Sequence, residues 1–422
     1  MKRLVSLDWM RGAAIASVVF FHALVFNMTP TTGSEDQDSV LYMVILYFIT
    51  WAGFFGMISG VGNSISMYGK LVRGTVGRAA VLKGSIVRGA VILGINFFYL
   101  GILCPGVLEP GHEDIGVLPA LIRVGRFFPY SLAPERLLFA TALTMVAWGT
   151  IISGVLLFLL SAGDGLQRRR RNRLVITTVA AVMVWCYPLV QTLVRPWMAA
   201  PMAGWRLPGA TVASWLAGPM DPIFPYVGFT LYGVVFGMML VDGARRRELL
   251  LYGCGLGAAY SAIGIGMLWG EGFWANPFDT PDLGPVIAIL GPMFMALTFL
   301  VWLMDLNGDK AKAWWARRTR GVRAFGILSL TAFVLEGPVG AVIHRALLPL
   351  MPDFPTNAGF LFLILAPAIT TLWYVGLKLW ARAGFVGSFE WLTVWLLARV
   401  EGRKSERLDV GAVLHSTRAY VD

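Results

Sequence analysis

The chain has 422 residues, 57% of them hydrophobic and 14% charged, with a formal net charge of +11 and a mean hydropathy of +0.68. Soluble domains carry roughly a quarter charged residues, so a water-soluble fold is excluded. The expectation is an all-α, polytopic membrane helix bundle over residues 1–400 with a solvated tail over 401–422. Nucleic acid is not an expected partner, because the basic residues fall in short clusters between apolar runs, which is how membrane topology is encoded. Cys104, Cys186 and Cys254 lie far apart in apolar runs. With no C-x-x-C spacing and no nearby histidine, they read as packing residues and no metal site is expected.

Runs of roughly 20 apolar residues, the length needed to cross a bilayer, predict about ten helices. They fall near 12–29, 41–68, 81–104, 136–162, 172–197, 222–241, 249–270, 284–305, 324–348 and 356–381. The opening has the charge pattern of a signal peptide, but Asp8 and Arg11 interrupt it and no small-residue cleavage site follows, so it reads as a retained first helix. Placing both termini in the cytoplasm puts 29 of the 35 Lys and Arg residues on that side, as the positive-inside rule requires. The outer loops are then acidic, with Glu35, Asp36 and Asp38 in one and Glu271, Asp279 and Asp282 in another. A multi-pass protein of the inner membrane follows. The proline-rich segment 104–135 is an expected outer lid or re-entrant turn. No internal repeat is evident, which gives no support to an inverted-repeat transporter.

Ionisable residues inside apolar spans are the first candidates for function. Asp8 and Arg11 stand three apart and share a helix face, either as a salt bridge anchoring the helix end or as part of a site. His22 follows Arg11 by eleven residues, three helical turns or about 16 Å on nearly the same face. Glu336, next to Gly337 and Pro338, is an intramembrane carboxylate that serves either as a helix–helix hydrogen bond or as chemistry. His344 is expected near an interface and His112 in an outer loop. Asn63, with Ser64, Ser66, Gly60 and Gly62, fits helix packing as well as ligand binding. Arg73, Arg78 and Arg88 could hold phosphates on the cytoplasmic side, where topogenic charge and anionic lipid also account for them. Walker, G-x-S-x-G and H-E-x-x-H motifs are absent, as is a pair of deeply placed histidines for haem.

The opening RLVSLDWMRGAAI resembles the R-L-x-S-L-D-x-x-R-G signature of the transmembrane acyltransferase superfamily. This group includes relatives of heparan-α-glucosaminide N-acetyltransferase and the bacterial membrane acyltransferases that O-acylate glycans. The Arg11 to His22 spacing is similar to the R-x10-H motif of the glycan O-acylating branch. FFGMISGVGNSISM, DPIFPYVGFTLYGVVFG, FGILSLTAFVLEG and GSFEWL resemble, in order, segments of the other branch. Two departures stand out. The lysosomal branch has asparagine at the place of His22 and a histidine in the following outer loop, where residues 28–40 have none. Relatives also tend to have glutamine or histidine at the place of Glu336.

The resemblance implies acyl-CoA, acetyl-CoA in the simplest case, as a donor bound from the cytoplasm. It implies a glycan or lipid-linked acceptor presented near the outer face. His22 would be the general base, Glu336 its orienting carboxylate, and Arg11 with Asp8 the donor-side end of the polar axis. Arg73, Arg78, Arg88, Asn63 and Ser329 would contribute to substrate binding. Membrane lipid is the remaining partner, and self-association is left open. A proton-coupled transporter or flippase using the same His and Glu, or a non-catalytic scaffold, are the rival readings.

Overall fold

In lipid, a chain satisfies its backbone only by helices or a closed barrel, and the long apolar runs here adopt the first solution. The structure, a computed structural model, describes residues 4–27, 51–109, 112–133, 136, 138–198, 207–269 and 282–400. Among these, eight helices are long and apolar enough to cross a membrane, nine if one bent pair is a single span. The eight are α1 (Val5–Val25), α3 (Arg78–Leu103), α5 (Ala142–Leu160), α9 (Ile223–Val241), α10 (Arg246–Leu268), α11 (Leu283–Asp305), α14 (Ser329–Leu347) and α15 (Ala358–Arg382). The remaining helices are α2 (Ala52–Asn63, continuing through a π-turn to Val72), the short α4 (Val117–Val124), α6 (Arg169–Trp185) and α7 (Tyr187–Met198). They are completed by α8 (Leu207–Ala217), α12 (Asp309–Arg318), α13 (Arg320–Ile327) and α16 (Phe389–Val400). One antiparallel hairpin, Val107–Glu109 with His112–Asp114, is the only sheet among the described residues.

Three expectations change. The first helix begins at Val5 rather than 12, so Asp8 and Arg11 lie within it and His22 is in its last turn. The expected helix over 172–197 is two pieces bent by 54°. The break is at Cys186 (φ −82°, ψ 0°), two residues before Pro188, which has no N–H to continue the helical ladder and whose ring crowds the preceding turn. The expected helix over 324–348 is likewise interrupted at Leu328, whose φ of −111° and ψ of 42° separate α13 from α14. The first ten residues of the expected span 41–68, the acidic residues of the 28–50 and 270–281 segments, and the 401–422 tail lie outside the described residues.

The core is built around α9, with 89% of its apolar window buried. Its close contact with α2 depends on glycine: a Cβ on Gly60 would collide with the Thr230 carbonyl, and one on Gly233 with that of Met57. Small residues let membrane helices approach to backbone contact, where dispersion replaces the missing hydrophobic drive. A second core joins Ile15, Val19 and Leu24 of α1 to Leu328, Ala332, Leu361 and Trp373. Lipid-facing positions such as Leu174, Leu189, Leu193 and Leu363 are exposed and apolar. This is the surface of a multi-pass membrane protein.

Two sets of contacts fix the relative direction of the helices. Gly253 meets Thr298 and Gly264 meets Ala288, so α10 and α11 are antiparallel. Gly12 meets Val322 and His22 meets Glu336, so α1 runs parallel to the α13–α14 pair. Asp242 accepts from Tyr68 and pairs with Arg169, which gathers the 72–78, 161–169 and 242–245 turns at one end of the bundle. The start of α1 meets the end of α11 at that same end.

Candidate functional site

Helix α1 carries two polar clusters, one at each end. At its start, the Asp305 carboxylate accepts from Val5 N–H at 3.0 Å and Ser6 N–H at 2.9 Å, and pairs with Lys312 Nζ at 3.0 Å. The first N–H groups of a helix have no partner within it, and a carboxylate there also complements the helix dipole. Asp8 lies 3.8 Å from the guanidinium of the fully buried Arg323, which also donates to the Ala316 carbonyl at 2.9 Å. The Arg11 guanidinium reaches α2, where a Cβ on Gly62 would stand 2.5 Å from it. These charges are held by neighbouring helices, which is why α1 begins well before its apolar run.

At the other end, His22 Nδ1 and Glu336 Oε1 are 2.6 Å apart, with side-chain exposures of 26% and 5%. Such a carboxylate holds the hydrogen on Nδ1 and leaves Nε2 as the basic nitrogen. Nε2 has no hydrogen-bond partner among the described residues. The Tyr99 hydroxyl stands beside the same buried carboxylate. Helix α14 continues through Pro338, and Gly337 is where it meets the 103–105 segment: a Cβ there would collide with the Leu103 carbonyl. Close approach of the two segments is the role of this glycine.

His22 and Glu336 open on a cavity whose empty space, counted to its open side, is about 430 Å³. Its walls include Val19, Phe26, Asn27, Pro119, Arg123 and Trp373. The 104–135 segment, expected as a lid or re-entrant turn, supplies one wall through Pro105, Ile115, Pro119 and Arg123. His344, expected near an interface, lies in the last turn of α14 and is buried at 8% exposure, with Nδ1 3.1 Å from Asn27 Oδ1 and Nε2 3.4 Å from Arg123.

The structure therefore brings His22 and Glu336 together and keeps Arg11 about three and Asp8 about four turns of α1 away. Asn63 donates to Thr150 Oγ1 at 3.2 Å and Ser64 to the Val234 carbonyl at 2.6 Å, so this polar stretch joins α2 to its neighbours. Arg73 and Arg78 are exposed beside the 73–77 turn, with Arg78 over the Phe158 ring at 5.0 Å, and Arg88 lies further along α3. None of these, nor Ser329, lines the cavity.

Asn27, Arg123 and His344 were not singled out as site residues, because no spacing in the sequence links three separate segments. Glu390 was missed as well. Its carboxylate accepts from Leu330 N–H at 2.5 Å and Thr331 N–H at 3.2 Å and from the Thr331 hydroxyl, capping the start of α14 two turns before Glu336. Burial pushes the Glu390 carboxyl up, and the bonds from Thr331 and the backbone oppose that shift. The quoted GSFEWL contains this residue, but its partner 59 positions away is not legible from the string. No protein-family model matches the chain, and no curated protein is significantly similar to it.

Proposed function

We propose that this protein is a membrane acyltransferase that moves an acyl group, acetyl in the simplest case, from acyl-CoA to a hydroxyl or amine of a glycan or lipid-linked acceptor. The single observation that carries the reading is the His22–Glu336 pair, 2.6 Å apart and open to a cavity. A carboxylate that orients an imidazole, with the far nitrogen facing space for substrate, is the arrangement general-base catalysis requires. The motif resemblance at Arg11 and His22 adds the reaction class. No metal is invoked.

In this reading His22 Nε2 takes the proton of the acceptor as its oxygen or nitrogen attacks the thioester carbonyl carbon. The tetrahedral adduct collapses by breaking the carbon–sulfur bond, and the imidazolium returns the proton to the departing thiolate, giving acyl-acceptor and CoA. Glu336 stabilises the imidazolium while it exists. A transient acyl-histidine would start from the same nitrogen, so the two routes share these residues. Acyl-CoA arrives from the end of the bundle that carries the basic turns, and the acceptor from the His22 end.

The test is acceptor-dependent release of CoA from labelled acetyl-CoA by the purified protein. Transport and scaffolding predict no release, and its absence with every acceptor class sinks the acyltransferase reading. We also place the basic end of the bundle and both termini in the cytoplasm of a cell with this chain in its inner membrane. Arg170→Cys should then resist a membrane-impermeant thiol reagent applied to intact cells, and efficient labelling reverses the orientation.

A further inference from the structure

The cavity beside His22 holds a cation, Arg123, with no carboxylate bonded to it among the described residues. Arg123, half-buried on α4, donates to the Phe26 carbonyl at 3.3 Å and lies 3.4 Å from His344 Nε2. An arginine can only donate, so Nε2 is the acceptor and the His344 hydrogen sits on Nδ1, directed at Asn27 Oδ1. The Asn27 amide in turn donates to the Ala23 carbonyl at 2.7 Å. The chain Arg123, His344, Asn27, Ala23 carbonyl thus runs in one direction, and His344 within it is neutral. Every acceptor Arg123 meets is neutral, and the guanidinium keeps N–H groups unused among the described residues.

Glu336, the one carboxylate among the cavity's described wall residues, is bonded to His22 and not to Arg123. Arg345 donates to the Ile122 carbonyl at 2.8 Å, which brings a second positive charge to the same short helix. A desolvated guanidinium with a fork of free donors is the preferred recognition element for phosphate and carboxylate groups. Neutral sugars would leave that charge uncompensated, which is costly in a low-dielectric cavity.

We propose that the His22–Glu336 cavity takes an anionic ligand, with a phosphate or carboxylate group seated on Arg123. Resting on the function proposed above, that ligand is the acceptor: a sugar phosphate, an acidic sugar or a phosphate-linked glycan whose hydroxyl or amine reaches His22. The Arg123, His344 and Asn27 chain lies one to two turns beyond the dyad, away from the basic end where the donor enters, and so marks the acceptor side.

The experiment measures binding and needs no chemistry, so it stands apart from the acyl-transfer assay. Thermal stabilisation or calorimetry of the purified full chain in phospholipid-free detergent is recorded with glucose 1-phosphate, glucuronate, glucose, CoA and phosphatidylglycerol. The expected result is that glucose 1-phosphate or glucuronate binds about tenfold or more tightly than glucose. Arg123→Gln should erase that preference, and Arg123→Lys should keep part of it. Equal binding of charged and neutral sugars by the wild-type protein overturns the proposal even where the variants do not fold. Arg123-dependent binding of phosphatidylglycerol or CoA without binding of either charged sugar also overturns it, by assigning the site to lipid or donor. Selective charged-sugar binding without any CoA release would instead leave the anion site standing and remove the acyltransferase reading.

Discussion

The two ends of α1 hold comparable numbers of polar groups and treat them in opposite ways. At the Val5 end, Asp305 meets two backbone N–H groups and Lys312, and Asp8 meets Arg323, so each carboxylate is matched by a neighbouring cation. At the Val25 end, His22 Nε2 and the charge of Arg123 have no counterpart among the described residues. Buried polar groups that serve only the fold are paired, whereas groups left open around a cavity are available to a ligand. Position along a single helix thus separates an anchoring cluster from one that opens on a cavity, although both begin as ionisable residues in an apolar run.

On the proposed function, breaking the cavity end should have the larger effect on activity. His22→Ala is expected to lower acyl transfer per folded molecule by roughly 10²–10⁴-fold, the usual contribution of a positioned base; because it also leaves the buried Glu336 without its partner, turnover is normalised to the folded fraction. His22→Asn sharpens the point, since it keeps a polar side chain beside Glu336 but removes the titratable nitrogen. Near-full activity of that variant would move the base to Glu336.

The anchoring end should fail in stability instead. Asp305→Ala leaves the Val5 and Ser6 N–H groups and the largely buried Lys312 without their partner. Removing one member of such a buried pair costs about 3–5 kcal/mol, visible as a lower unfolding midpoint in detergent. Whatever protein remains folded should retain its turnover per molecule; a selective loss of turnover at unchanged stability would mean that the two ends are coupled in chemistry.

An effect seen only along the pH axis belongs to a residue outside both ends. Asp221, before α9, is partly buried, and burial pushes its carboxyl from the usual range up to about 7. The folded chain therefore keeps this proton over a window in which the unfolded chain has released it. Stability contributed by this group is full below about pH 4 and falls as pH rises toward 7. Asp221→Asn should remove that slope, making the variant more stable than the wild-type protein at pH 8 and equal to it at pH 4, as read from unfolding midpoints across pH.

Much of the molecule was legible from its residues. Apolar run length set the helices over 78–103, 223–241, 246–268 and 283–305 to within a few residues of the prediction, because in lipid a long apolar segment has no other way to satisfy its backbone. His22 and Glu336 stood out for the same reason, as polar groups where lipid penalises them. Their pairing across 314 positions was not readable. Neither was the start of α1 at Val5, since the charges of Asp8 and Arg11 argued for lipid or water until α11 to α13 and α2 supplied partners. The breaks at Cys186 and Leu328 were hidden inside continuous apolar runs, where hydropathy carries no record of backbone direction.

What the sequence determined by itself was the material of the protein: helices of membrane length, the charge asymmetry of their connecting turns, and the few residues too costly to be there by chance. Tertiary structure alone decided which of those residues meet. Parallel packing of α1 against α13 and α14 sets Gly12 on Val322, His22 on Glu336 and Asn27 on His344, and the proline-rich segment then folds Arg123 over the same end. The reason is physical: hydropathy is a property of each residue and its near neighbours, whereas a hydrogen bond between helices depends on crossing angle and register, set by backbone contacts at glycines far along the chain.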